Sequence, residues 1–229
     1  MQFCMLPFFI EELSLFDIDR VLKIIKQENK RFVEPIVTTI SSERTPFHVL
    51  ISCLLSLRTR DQTTREASNR LFAVANNPED IMKIPAERLE KLIYPVGFYR
   101  TKARKIKEIC DVLIQTYQGK VPDEIDELLK LNGVGRKTAN LVVTLGYQKP
   151  GICVDTHVHR ITNRWGYVKT KNPHDTEFVL REILPKKYWL TINDLLVTFG
   201  QNTCVPISPK CNYCPVNILC KKIDVASHR

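Results

Sequence analysis

The sequence predicts an all-α protein. Apolar residues recur at helical spacing along most of the chain, no segment alternates apolar and polar as a half-buried strand would, and glycine is scarce, eight in 229 residues. Taken in order, a first helix is expected at 17–29. In TPFHVLISCLLSL, Thr45 suits an N-cap and Pro46 the first helical position, and Phe47, Leu50, Ile51, Leu54 and Leu55 are apolar enough for a largely buried helix. Further helices are expected at 62–75 and 86–93. In TKARKIKEICDVLIQTYQG one face carries Ala103, Ile106, Cys110, Leu113 and Tyr117, and Gly119 ends the helix. Five cations crowd its start, between Arg100 and Lys107. Periodicity then continues at 123–130, 136–146, 156–165, 174–184 and 189–199.

Apolar residues make up 44% of the chain and charged ones 26%, which excludes a disordered protein and leaves ample material for a core. No run approaches the length of a membrane span, so no membrane partner is expected. The apolar patch Phe3 to Ile10 has no basic residue before it and acidic residues after it, a poor secretory signal. An intracellular protein is therefore expected, cytoplasmic and nucleoid-associated, and monomeric. The formal net charge of +9 favours an anionic partner such as nucleic acid.

The stretch LNGVGRKTANL, Leu131 to Leu141, invites comparison with a phosphate-binding nucleotide loop. Such a loop needs G-x-x-x-x-G-K-[ST] between a strand and a helix. Here Gly133 and Gly135 are one residue apart, Arg136 separates the second glycine from Lys137, and the preceding DEIDELLKL is an amphipathic helix. What remains is helix, tight Gly-x-Gly turn, helix, which turns backbone N–H groups towards one phosphate of a nucleic-acid strand. A plain turn between packed helices would also explain a lone GVG. Lys137 reads as a phosphate counter-charge or as a nucleophile; the latter must be neutral when it attacks, a form favoured by neighbouring cations and a helix start. Eighteen residues on, VDTHVHR places Asp155 at the N-cap of a helix whose Val158, Ile161 and Trp165 share a face. Capping alone explains an aspartate there; so would a carboxylate that takes a proton and stabilises a sugar cation.

Of eight cysteines, Cys204, Cys211, Cys214 and Cys220 fall within seventeen residues, spaced C-x6-C-x2-C-x5-C. Four thiolates so placed hold zinc or an iron–sulfur cluster, and spacing does not choose between them.

Together, LNGVGRKTA, VDTH and the four cysteines resemble the endonuclease III family, in the iron–sulfur branch of the helix-hairpin-helix DNA glycosylase superfamily. The resemblance runs from about Phe47 to Cys220. It implies a two-domain fold: a six-helix domain at 39–149 bearing the hairpin, and a discontinuous cluster domain made of 1–38 and 150–229. It implies a bifunctional base-excision glycosylase and abasic-site lyase whose partner is double-stranded DNA containing oxidised pyrimidines or abasic sites. Lys137 would attack C1′ and form a Schiff base, Asp155 would be its partner carboxylate, and His157 would lie near the pocket. The cysteines would bind a [4Fe–4S] cluster. Lysine at 137 favours the lyase branch over adenine or thymine-mismatch relatives, which usually carry serine or tyrosine there.

Several positions depart from the family pattern. Arg58 stands where glutamine commonly enters the gap left by a flipped base, and would change the preference for the opposite base or merely meet phosphate. Phe98 replaces a leucine wedge, and its ring would intercalate as well. Asp61 is expected to cap the following helix or shape the pocket, and Asn132 takes the place of a hairpin proline. The loop VPISPK, basic in relatives, offers DNA only Lys210. A mismatch-specific glycosylase, a non-catalytic hairpin DNA-binding module and an iron–sulfur electron carrier are the rival readings.

Overall fold

The computed structural model describes residues 16–32 and 45–229; the patch Phe3 to Ile10 and the expected boundary near residue 38 lie outside them. Among the described residues there is no strand, and no helix is long and apolar enough to cross a membrane. The chain divides into two compact units, residues 34–153 and residues 1–33 with 154–229.

Within 34–153, helix α1 (Pro46–Ser56) is buried from Phe47 to Leu55. Its start is closed by Thr45, whose N–H donates to His48 Nδ1 at 3.2 Å, while His48 Nε2 reaches Asn76 Oδ1 at 3.0 Å. Helix α2 (Asp61–Phe72) begins one residue earlier than its periodicity implies. Arg60, extended at φ −66° and ψ 146°, therefore takes the N-cap position, and Asp61 does not cap. Asp61 is the exposed first helical residue, where its charge complements the helix dipole. Helix α3 (Pro78–Lys83) is an addition to the sequence reading; six residues are too few to show a period, and its start is held by Asn77 Oδ1 accepting from Asp80 N–H at 2.8 Å.

Helix α4 (Ala86–Ile93) and the long α5 (Tyr99–Tyr117) follow. Helix α5 buries Ala103, Ile106, Ile109, Cys110 and Leu113 against its neighbours, packing on α1, α3 and α4. It ends in two left-handed residues, Gln118 and Gly119, with Gly119 N–H closing back on Leu113 O at 2.9 Å. The short α6 (Ile125–Leu128) leads through the Gly-x-Gly turn to α7 (Arg136–Leu141), which runs on as a π-helical turn, Val142–Gly146. Both stretches pack on α1.

In the other unit, α8 (Ile18–Asn29) buries Val21, Leu22 and Ile25. It packs against α11 (Ile192–Asn202), which also packs on α9 (Thr156–Trp165); α10 (Pro173–Ile183) lies against α9. Trp165, 1% exposed, stacks on Phe16 with ring centroids 5.9 Å apart. Helix α9 ends at Gly166, left-handed at φ 74°, and the freed carbonyl of Arg164 accepts from Ile223 N–H at 3.0 Å. The cysteine segment is irregular apart from two 3₁₀ turns, Cys211–Tyr213 and Asn217–Leu219.

Candidate nucleic-acid interface and reactive residues

The Gly-x-Gly hairpin is anchored by apolar side chains and opened by glycine. Leu131 and Val134 are buried, and Val134 N–H donates to Leu131 O at 3.0 Å. Gly133 sits at φ +88°, in the left-handed region that L side chains rarely adopt. A Cβ there would also lie 3.3 Å from both Cδ and Nζ of Lys105, so the Lys105 side chain lies along the turn. Gly135 differs. Its φ is −96° and an added Cβ would meet nothing within 4 Å, so the fold itself leaves room for a side chain. Gly135 is the N-cap of α7 and supplies no side-chain cap. Asn132, in place of the expected proline, donates from Nδ2 to Glu108 Oε2 on α5 at 3.1 Å.

Arg136 and Lys137 are the first two residues of α7; Lys137 is exposed, whereas Thr138, Ala139 and Asn140 behind it are buried. The positive charge of Lys137 is felt at Cys53 of α1: burial pushes that thiol up to about 12, and Lys137 pulls it the other way.

Arg58 and Phe98, forty residues apart in sequence, form a pair. Both are exposed, both have left-handed backbone (φ 53° and 57°), and the Arg58 guanidinium stands 5.7 Å from the centroid of the Phe98 ring. Gly97 allows this approach, since a Cβ there would lie 2.6 Å from Arg58 O. Beneath the pair is a residue that sequence reasoning missed. Lys102 on α5 is only 8% exposed, and its ammonium donates to Leu55 O at 2.7 Å, Leu57 O at 2.6 Å and Thr59 Oγ1 at 3.1 Å. Burial draws Lys102 down to about 8, still above neutrality, so it keeps its proton at pH 7. Its signal in the sequence was a lysine on the apolar face of α5, hidden within a block of five cations.

In the second unit, Asp155 is buried and caps α9: Oδ1 accepts from His157 N–H at 2.8 Å and Val158 N–H at 3.0 Å. The His157 ring packs on Gly200, where a Cβ would lie 2.4 Å from Nδ1, and Arg160 Nη2 lies 3.1 Å from that same nitrogen. Arg160 also donates to Gly200 O at 3.3 Å and Cys204 O at 2.9 Å. One turn further along α9, Arg164 donates to Cys204 Sγ at 3.4 Å, Val205 O at 2.8 Å and Pro206 O at 2.7 Å. These two arginines, spaced i and i+4, tie α9 to the first cysteine and the loop after it. Neither was singled out from the sequence, although their spacing marks one helix face.

Cys204, Cys211, Cys214 and Cys220 line a single cavity, with Arg164, Lys210 and Lys222 at its walls. Burial raises the thiols of Cys211, Cys214 (to about 11) and Cys220, and metal binding would offset that by deprotonating them. Among the described residues, no group of three or more His, Cys, Asp and Glu side chains closes on one metal ion. Four thiols lining one cavity are a soft donor set of the kind that holds zinc or an iron–sulfur cluster. Lys210 is the exposed cation of the VPISPK loop, and Ile207 in the same loop is 86% exposed.

The structure thus brings together Gly133, Gly135, Arg136 and Lys137 on one hairpin, Arg58 with Phe98, Asp155 with His157, and the four cysteines with Lys210. The hairpin and the Arg58–Phe98 pair belong to unit 34–153; Asp155, His157 and the cysteines belong to the other.

A family model described as HhH-GPD superfamily base excision DNA repair protein matches residues 51–186. Endonuclease III of Thermotoga maritima is 51% identical over 172 residues, covering 75% of this chain and 81% of that protein. A solved structure of a trapped endonuclease III–DNA covalent intermediate, in an estranged-adenine complex, superposes with a TM-score of 0.78 at 36% identity, covering 90% of this chain and 94% of that one. A thermostable thymine-DNA glycosylase superposes with a TM-score of 0.79 at 27% identity, covering 93% of this chain and 97% of the other.

The two glycines should respond differently to alanine. Gly133→Ala, strained by its positive φ and crowded by Lys105, is expected to lose about 1–2 kcal/mol of stability. Gly135→Ala, with an ordinary φ and open space, should stay within about 0.5 kcal/mol of the wild type in urea-induced unfolding.

Proposed function

The chain belongs to the endonuclease III family of the HhH-GPD superfamily of base excision DNA repair proteins, and from that premise we propose how its own residues excise a damaged base and cut the strand. It is a DNA glycosylase with abasic-site lyase activity, and its substrate is DNA. The observation that carries the reading of its chemistry is Lys137: exposed, at the start of a helix, directly after a glycine hairpin that leaves open space at Gly135. A phosphate drawn to backbone N–H groups there sets the register of the strand without reading its sequence.

The neutral amine of Lys137 attacks C1′ of the damaged nucleotide as the C1′–N bond breaks, and the base leaves with that electron pair and takes up a proton. Opening of the sugar ring gives a protonated imine on Lys137. Loss of a proton from C2′ then expels the 3′ phosphate oxygen with its electron pair, and water releases the lysine. Asp155 is the partner carboxylate, which accepts a proton from the attacking amine and stabilises the developing sugar cation. That a related enzyme has been trapped as a covalent intermediate with DNA supports a nucleophilic route. Oxidised pyrimidines are the proposed targets. The damaged nucleotide must leave the duplex before Nζ reaches C1′, at a cost of roughly a few kcal/mol. Arg58 and Phe98, exposed on adjoining turns, would fill the space vacated and meet the orphaned base.

Cys204, Cys211, Cys214 and Cys220 are proposed to hold a [4Fe–4S] cluster, which when bound crosslinks the C-terminal segment and adds a redox-active centre. The protein's own part is to present four thiolates and to fix the first of them to α9 through Arg164.

The likeness to a thymine-DNA glycosylase favours thymine mismatch as the second reading. Lys137 argues for the lyase, because a glycosylase that uses water alone has no need of an amine.

Borohydride should covalently link the wild-type protein to thymine-glycol or abasic duplex DNA, and Lys137→Ala should abolish that link; absence of an adduct from active wild type would overturn the lyase assignment. Asp155→Asn separates capping from chemistry. Its amide oxygen still accepts from His157 and Val158, so stability should change by less than about 1 kcal/mol, whereas base excision should slow by about 100-fold or more. Purified protein should be brown with an absorption band at the violet edge, and Cys214→Ser should lose it; a colourless zinc protein would refute the cluster.

A further inference from the structure

The two exposed side chains proposed to enter the duplex are held in an arrangement that neither would adopt alone. Arg58 and Phe98 both have left-handed backbones, which a non-glycine residue keeps only where the surroundings enforce them. The enforcement is visible around Lys102. Its ammonium carries three protons and has three acceptors: Leu55 O, Leu57 O and Thr59 Oγ1. The two carbonyls belong to the end of α1 and the residue after it, where a helix runs out of intrahelical donors. The Thr59 hydroxyl serves both sides of the pair, accepting from Lys102 and from Gly97 N–H at 3.0 Å, and lying 3.3 Å from Leu57 O as donor. Arg58 is therefore clamped between two residues bonded to Lys102, and Phe98 follows the glycine bonded to Thr59.

We infer that Lys102 is a positioning residue for base extrusion, locking Arg58 and Phe98 into one preformed two-pronged unit through Thr59 and Gly97. This rests on the reading that Arg58 and Phe98 enter the duplex. The consequence is that both prongs are in place before DNA arrives, and the cost of ordering them is met during folding rather than at binding. Lys102 itself touches no substrate.

The test uses the full-length protein and a duplex with a stable abasic analogue opposite 2-aminopurine, whose fluorescence reports unstacking of the orphaned base. Cleavage opposite A and opposite G is measured in parallel on a thymine-glycol duplex. Arg58→Gln and Phe98→Ala establish whether the pair meets DNA; each should change the fluorescence response, and Arg58→Gln should shift the A-to-G ratio. Lys102→Met should reduce the fluorescence response about fivefold or more and move the ratio towards that of Arg58→Gln, the loss expected for charge-assisted hydrogen bonds. Lys102→Arg, which keeps a cation, should recover part of both. Where Lys102→Met fails to fold, Thr59→Val removes the shared hydroxyl alone and should show the same shift at smaller amplitude. A folded Lys102→Met, or in its place Thr59→Val, with wild-type fluorescence and ratio beside altered Arg58 and Phe98 variants would overturn the positioning role. Unaltered Arg58 and Phe98 variants would instead defeat the reading beneath it, and the inference with it.

Discussion

The N–H groups that every helix leaves unbonded in its first turn are the constraint on which the reactive residues depend. Two helices of this protein meet it in opposite ways. The start of α9 is closed from within, because Asp155 spends one carboxylate oxygen on two N–H groups. The start of α7 follows Gly135, which has no side chain to offer, and Lys137 stands on its first turn. A closed helix start fixes a carboxylate rigidly, and a start without a side-chain cap leaves donors for an anion. One rule of backbone chemistry thus underlies both parts of the proposed reaction, the carboxylate at Asp155 and the phosphate at the hairpin.

Helix α5 does for the hairpin unit what capping does for the helix starts. One face supplies Ile106, Ile109 and Leu113 to the core, so the helix cannot shift without disturbing its packing. Along its length it places Lys102 under the Arg58–Phe98 pair, Lys105 along the turn at Gly133 and Glu108 against Asn132. Six residues of helix span about 9 Å, so one rigid element underlies both the Arg58–Phe98 pair and the Gly-x-Gly hairpin.

Local chemistry was legible in the sequence and long-range chemistry was not. The Gly-x-Gly turn, the Asp155 cap and the Thr45–Pro46 helix start involve residues at most a few positions apart, and each was read correctly from its neighbours. The start of α2 was misplaced by one residue because Arg60, with no capping side chain, nonetheless holds the N-cap backbone. The six residues of α3 are shorter than two helical turns and carry no period. The pairing of Arg58 with Phe98 and the burial of Lys102 arise where segments about forty residues apart meet, and no spacing rule reports such a meeting. Arg160 and Arg164 were visible as a helix face, but the loop they hold has no periodicity to show where it lies.

Arg58 and Phe98 also set a limit on how this protein can be improved. Glycine or asparagine would sit more comfortably at both left-handed positions, so a selection for heat resistance alone would replace them. Each replacement would relieve the backbone and remove a side chain proposed to enter the duplex. At these two positions the ease of the backbone and the proposed entry into DNA pull in opposite directions.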